Sequence, residues 1–129
     1  MPLARNHMSR ELLTVEAELP LAEVAERMCA KNVGAALVLE GERLAGILTE
    51  RDVLRAVARG IRDDALVTDW MTAGPETIEP DESTTHAATL MIHGGFRHLP
   101  VVEGERVVGM LSIRDLMRIA LEDSAPRGV

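Results

Sequence analysis

The chain has 129 residues, a formal charge of −7, 47% hydrophobic residues and two aromatics, Phe96 and Trp70. That length gives one domain or two very small ones, with a core built from Val, Leu, Ile, Ala and Met. An acidic chain without aromatic stacking platforms is a poor nucleic-acid binder, because phosphate contacts dominate that affinity, whereas a small anion in a locally basic cleft stays open.

The opening "MPLARNHM" lacks the apolar run of a signal peptide. No later stretch approaches the roughly 20 apolar residues that cross a bilayer. Residues 13–15 predict a short strand. "LPLAEVAERMCAKN" then puts Leu21, Val24, Ala25 and Met28 at helical spacing, with Pro20 suited to the first turn. Cys29 lies on that helix and reads as a small buried hydrophobe. As the lone cysteine, it excludes an intrachain disulfide and suits a reducing compartment, so the expected location is cytoplasmic. "AALVL" (35–39), a Gly41-Glu42 turn and "RLAGILT" (43–49) predict a hairpin, and "ERDVLRAVARG" a second helix. Residues 59–70 read as a polar linker, with Trp70 anchoring its end. The same order then returns: a strand at Thr77–Ile78, a helix in "DESTTHAATLMIHGG" ended by its glycines, "HLPVV" (98–102), a Gly104-Glu105 turn, "RVVGMLS" and "IRDLMRIALED". A tail, 122–129, closes the chain.

A shift of 63 aligns residues 8–58 with 71–121 without a gap and with 15 identities in 51 pairs. Met8/Met71, Gly46/Gly109, Arg51/Arg114 and Asp52/Asp115 are among them. One supersecondary unit is therefore used twice, each copy unable to bury its apolar face alone. The predicted class is α+β: two β-α-β-β-α repeats, 8–58 and 71–121, related by a pseudo-twofold axis.

The doubled phrase Gly-x-Leu-Thr/Ser-x-Arg-Asp falls where a strand gives way to a helix. Thr49-x-x-Asp52 and Ser112-x-x-Asp115 both fit a capping box, in which the hydroxyl takes the N3 amide and the N3 acid reaches back to the N-cap amide. Such a cap contributes about 1 kcal/mol and could by itself explain both residues. The same geometry also suits a ligand. A helix start offers free amides to an anion, a hydroxyl and the neighbouring Arg51 or Arg114 can join them, and a carboxylate can accept from vicinal hydroxyls such as those of ribose.

Taken with the 63-residue period, "GAALVLEGERLAGILTERDVL", "MTAGPETIEPDES" and "FRHLPVVEGERVVGMLSIRDLM" resemble a tandem pair of CBS domains, a Bateman module, from about Met8 to Leu121. The resemblance implies two repeats packed as a disc with two clefts that bind adenosine-containing ligands. It assigns the ribose to Asp52 and Asp115, the phosphate-side hydroxyl to Thr49 and Ser112, and a neighbouring cation to Arg51 and Arg114. Each cleft is completed from the other repeat: Thr72, Thr77, Ile78, Phe96 and Arg97 with Asp52; Thr14, Val15, Val33 and Gly34 with Asp115, and His98 nearby. The chain departs from the family where Ala35 stands opposite His98 in the repeat, where the first copy lacks the counterparts of Pro75 and Pro100, and at Glu50, which would repel a phosphate at the Asp52 cleft.

The remaining residues read plainly. His86 and His93, seven apart on a helix, lie roughly 10 Å apart and cannot share a zinc ion, and no other cluster suggests a metal. Met71, Met91, Met110 and Met117 read as core or interface filler. Glu76, Glu79, Asp81 and Glu82 read as a solvated face. Val53, Leu54 and Val57, like Leu116, Met117 and Ala120, form stripes that face a core; in the family some of that surface forms a homodimer. No nucleophile–base or paired-carboxylate arrangement can be assembled, so no enzyme activity is expected. The expected function is a regulatory module that needs no cofactor, takes an adenine nucleotide or S-adenosylmethionine as ligand, and signals to an effector in trans, without nucleic-acid or membrane partners. A ligand-free dimerisation scaffold is the alternative.

Overall fold

A computed structural model describes residues 1–124. They form α1 (Ala4–His7), β1 (Thr14–Glu16), α2 (Leu21–Lys31), β2 (Ala35–Glu40), β3 (Arg43–Thr49), α3 (Glu50–Ala58), α4 (Val67–Trp70), β4 (Thr72–Ala73), α5 (Thr84–Gly94), β5 (His98–Glu103), β6 (Arg106–Ser112) and α6 (Ile113–Ser124). Helices and short sheets alternate in both halves, an α+β organisation. The end of the 122–129 tail, residues 125–129, lies outside the described residues.

The chain divides into two compact units, and these do not follow the sequence repeats. One is Glu11–Pro75; the other is Met1–Arg10 together with the chain from Glu76 onward. The segment leading into each repeat is thus built into the unit of the other repeat.

In the first of these units, β1 pairs in parallel with β2, β2 antiparallel with β3, and β3 antiparallel with β4. Val15, Ala36, Val38 and Leu48 turn to one cluster with Leu21, Val24 and Met28 of α2, Ala56 of α3 and Val67 of α4. The periodicity of α2 is the cause: positions 21, 24 and 28 return to one face. Cys29 is one step of about 100° past Met28, and it is exposed rather than buried. Pro20 precedes the helix as its N-cap, in an extended conformation, instead of lying in the first turn. The β2–β3 turn needs a positive φ at its first position, which Gly41 supplies at +64°.

In the other unit, β5 and β6 form the equivalent hairpin, with Gly104 at φ +66°. Both hairpins shift register at the same place, after Val38 and after Val101, which leaves Ala45 and Val108 as the extra residues. The core gathers Ala4, Ile78, Ala87, Met91, Leu99, Val101 and Leu111. Helix α5 ends at Gly95, in the left-handed region at φ +72°.

Here the predicted leading strand contracts to one parallel bridge, Ile78 with Val101. The reason is a missing donor. In the first unit the Leu37 N–H donates to the Leu13 carbonyl at 2.9 Å. The residue 63 positions after Leu37 is Pro100, which has no N–H. Only the flanking bonds remain, Ile78 N–H to Pro100 O at 3.0 Å and Val102 N–H to Ile78 O at 2.8 Å.

The two-fold repetition extends further than 8–58 and 71–121. Residues 65–70, within the stretch read as linker, form part of the fold: Leu21 N–H bonds Ala65 O, Val67 N–H bonds Leu19 O, and Pro20 bridges Leu66. Shifted by 63, the same contacts recur as Thr84 N–H to Pro2 O, Ala4 N–H to Glu82 O, and Leu3 with Ser83. Arg5 also pairs with Asp81. The straps 2–9 and 65–72 are therefore equivalent, and Trp70 packs against the core of the Glu11–Pro75 unit.

Each strap ends on a glycine. A Cβ at Gly46 would lie 2.5 Å from the Met71 Sδ and 2.8 Å from the Thr72 carbonyl oxygen, and one at Gly109 would lie 2.4 Å from the Met8 Sδ. The paired identities Met8/Met71 and Gly46/Gly109 are one packing device made twice.

Candidate functional site

Both doubled Thr/Ser-x-x-Asp phrases form capping boxes, and the structure shows how each carboxylate divides its work. Thr49 closes β3 in an extended conformation and is the N-cap of α3. Its N–H and its hydroxyl both donate to Asp52 Oδ2, at 2.8 and 3.1 Å, and its Oγ1 accepts the Asp52 N–H at 3.4 Å. In the other unit, Ser112 N–H and Oγ donate to Asp115 Oδ2 at 2.8 and 2.9 Å, and Ser112 Oγ accepts the Asp115 N–H at 3.2 Å. An acid in the first turn also suits the positive end of the helix dipole.

The second oxygen, Oδ1, takes no part in the cap. It accepts from Arg55 Nη1 at 3.4 Å in one unit and from Arg118 Nη1 at 3.3 Å in the other. The motif does not include these arginines, although the sequence carries a signal for them: they match under the 63-residue shift. Arg51 and Arg114, the residues singled out from the motif, are exposed and, among the described residues, join no ion pair.

The helix starts are tied to the turn before each hairpin. Glu50 N–H donates to Gly34 O at 3.0 Å, and Ile113 N–H donates to Arg97 O at 2.9 Å. Among the described residues the next amides, those of Arg51 and Arg114, donate to no protein acceptor. Each helix start thus holds a partly committed carboxylate, a hydroxyl, an unused amide and an arginine within four consecutive residues.

The other expected site residues fall into the two units as follows. Asp52 shares its unit with Thr14, Val15, Val33, Gly34 and Thr72. Thr14 pairs with Leu37, Leu37 with Ile47, and Ile47 with Thr72, so these four form one row on one sheet face. Val15 and Val33 instead pack with the core. Asp115 shares its unit with Thr77, Ile78, Phe96, Arg97 and His98. His98 heads β5 and pairs with Ser112. Ile78 is buried, Thr77 and Arg97 are exposed, and the Phe96 ring packs on the core, so close to Gly94 that a Cβ there would lie 2.1 Å from it.

One further residue emerges from the pairing. Ser9 N–H donates to Met110 O at 2.9 Å and Met110 N–H returns to Ser9 O at 3.0 Å. Ser9 is therefore the counterpart of Thr72, and the 63-residue shift matches the two.

The second helices do not bury their whole apolar stripes. Val53 and Leu116 pack inward, but Leu54, Val57, Met117 and Leu121 stand 68%, 61%, 59% and 70% exposed. No helix among the described residues is long and apolar enough to cross a membrane.

The chain is similar to known proteins along most of its length. A relative from Acidianus ambivalens, an uncharacterized 17.7 kDa protein in the bps2 3' region, is 35% identical over 87% of this chain and 69% of its own length. The protein MJ1225 of Methanocaldococcus jannaschii is 32% identical over 94% of this chain, which spans only 44% of it. Among solved structures, the CBS domain protein PAE2072 from Pyrobaculum aerophilum, complexed with AMP, is similar with a TM-score of 0.85 and 29% identity over 93% of this chain and 96% of that one. The CBS domain pair of protein MJ0100, in complex with 5-methylthioadenosine and S-adenosyl-L-methionine, has a TM-score of 0.85 and 25% identity over 92% of this chain and 98% of that one. The CBS domain model matches twice, at residues 4–59 and 67–122, and the chain belongs to the CBS-domain family.

Proposed function

We propose that the chain is a cytoplasmic regulatory module that binds an adenosyl compound and passes a conformational signal to a separate effector protein. A ribose hydroxyl donates to the Oδ1 of Asp52 or Asp115. The phosphate, or another group on the sugar's far side, meets the unused amide and side chain of Arg51 or Arg114. The observation that carries this reading is the division of each carboxylate: one oxygen is sealed into the cap, and the other stays outside it and, among the described residues, accepts only from an arginine side chain. The relatives solved with AMP and with 5-methylthioadenosine and S-adenosyl-L-methionine support the ligand class. A ligand of this kind acts by preferring one of two conformations, and only that difference in affinity can carry a signal. The module does no chemistry of its own.

The effector meets a pair of chains. The exposed stripes of α3 and α6, Leu54 and Val57 on one and Met117 and Leu121 on the other, are the surfaces of a homodimer.

A second reading draws on the same hydrogen bonds. Both caps are complete without ligand, as they would be in a scaffold that only dimerises. A thermal-shift series with AMP, ADP, ATP and S-adenosylmethionine separates the two. Ligand at 100 times its Kd adds about 2.7 kcal/mol to stability, so at least one compound raises the melting temperature if the chain is a sensor. Silence from all four favours the scaffold.

A further inference from the structure

Past the acid, the two second helices have diverged: residues 53–58 and 116–121 differ at every position except Arg55 and Arg118. In both units this arginine donates Nη1 to the carboxylate oxygen that the cap leaves alone, at 3.4 and 3.3 Å. The cap does not need it, since Oδ2 already takes the amide and the hydroxyl. Stability is a weak reason for keeping it, because the arginine side chains are 54% and 62% exposed and such pairs are screened by water and salt.

We propose that Arg55 and Arg118 are positioning residues for sugar recognition. The inference rests on the reading of the helix starts as nucleotide sites and says how those sites favour a ribose. An ionised carboxylate has about four acceptor positions. Oδ2 spends two on its cap and Oδ1 spends one on the arginine, which leaves one. Held at a single oxygen, the carboxylate plane can tilt about that end. Held at both, it points its remaining acceptor in a fixed direction, and a preorganised acceptor discriminates between ligands better than a mobile one.

Calorimetric titration with AMP and with its dideoxyribose analogue tests this on the wild type, on an Arg55→Leu/Arg118→Leu double variant, and on an Arg55→Lys/Arg118→Lys double variant. A hydrogen bond to a charged acceptor is among the stronger ones, so the wild type prefers AMP by about tenfold or more. In the leucine variant that preference falls to about threefold or less while affinity for the analogue holds, as expected when only the sugar contact is disturbed. Lysine restores much of the preference, because one donor suffices. An unchanged ratio overturns the inference. So does a parallel loss for both ligands, which would put the arginines on the phosphate or in the fold, and so does tighter AMP binding by the leucine variant, which would make them competitors. A wild type that binds neither compound overturns the inference as stated for AMP, and silence from ADP, ATP and S-adenosylmethionine as well sinks the nucleotide reading itself.

Discussion

Asp52 accepts the backbone N–H of Thr49 at 2.8 Å through Oδ2 alone. Asp115 treats Ser112 in the same way. One carboxylate oxygen therefore serves the cap, while the other accepts from Arg55 or Arg118 and keeps one acceptor position, and this division makes the two roles experimentally separable.

The cap can be broken at its hydroxyl. Thr49→Ala and Ser112→Ala remove the acceptor of the N3 amide, and each costs about 1 kcal/mol. Chemical denaturation should show a lower midpoint with an unchanged slope.

The glycine seats are unequal. Gly46→Ala drives a Cβ into the Met71 sulfur and also toward the Thr72 carbonyl at 2.8 Å, whereas the three atoms nearest a Cβ at Gly109 all belong to the flexible Met8 side chain. Overpacking costs typically 1–3 kcal/mol, about the range expected here, with Gly46→Ala the more severe. Shortening the methionine discriminates further. Met8→Ala added to Gly109→Ala recovers most of the loss, while Met71→Ala added to Gly46→Ala leaves the clash with Thr72 O. Equal melting temperatures for the two glycine variants would contradict this.

Glu50 is exposed at the first position of α3, where α6 has Ile113. Glu50→Gln removes a negative charge from beside the proposed anion position. The surface setting limits the gain, so AMP binding at the Asp52 site should tighten by about two- to threefold at low salt. Adenosine, without a phosphate, should be indifferent. Titration of both ligands on wild type and variant checks this.

The exposed stripes predict a dimer that charge disrupts. Leu54→Glu combined with Met117→Glu should convert it to a monomer in light scattering, with an unchanged circular dichroism spectrum, because both side chains stand outside the cores.

Much of this was legible from residues alone. Hairpins at 35–49 and 98–112 follow from short apolar runs around Gly-Glu turns, and both capping boxes from Thr49-x-x-Asp52 and Ser112-x-x-Asp115. The failures have physical causes. Pro100 deletes one ladder donor, and the leading strand shrinks to Ile78. Residues 65–70 look polar and linker-like because only Val67, with partial help from Ala65 and Trp70, packs inward from a one-turn helix. That the straps exchange between units is invisible to periodicity, since the contacts joining Ala4 to Glu82 and Val67 to Leu19 are long-range backbone bonds. Arg55 and Arg118 were hidden by the neighbouring Arg51 and Arg114, which sit beside the acid in sequence but point to no partner among the described residues.

The central claim is that each acid has one oxygen for the fold and one for a sugar. Asp52→Asn/Asp115→Asn tests it most directly, because an amide oxygen can still accept the cap hydrogen bonds while the charged acceptor is lost. Calorimetric titration with AMP, paired with a melting curve, should show AMP affinity down by about tenfold or more and a melting temperature close to wild type. Full AMP affinity in the double variant, or a wild type that binds neither AMP nor ADP, ATP or S-adenosylmethionine, would contradict the account.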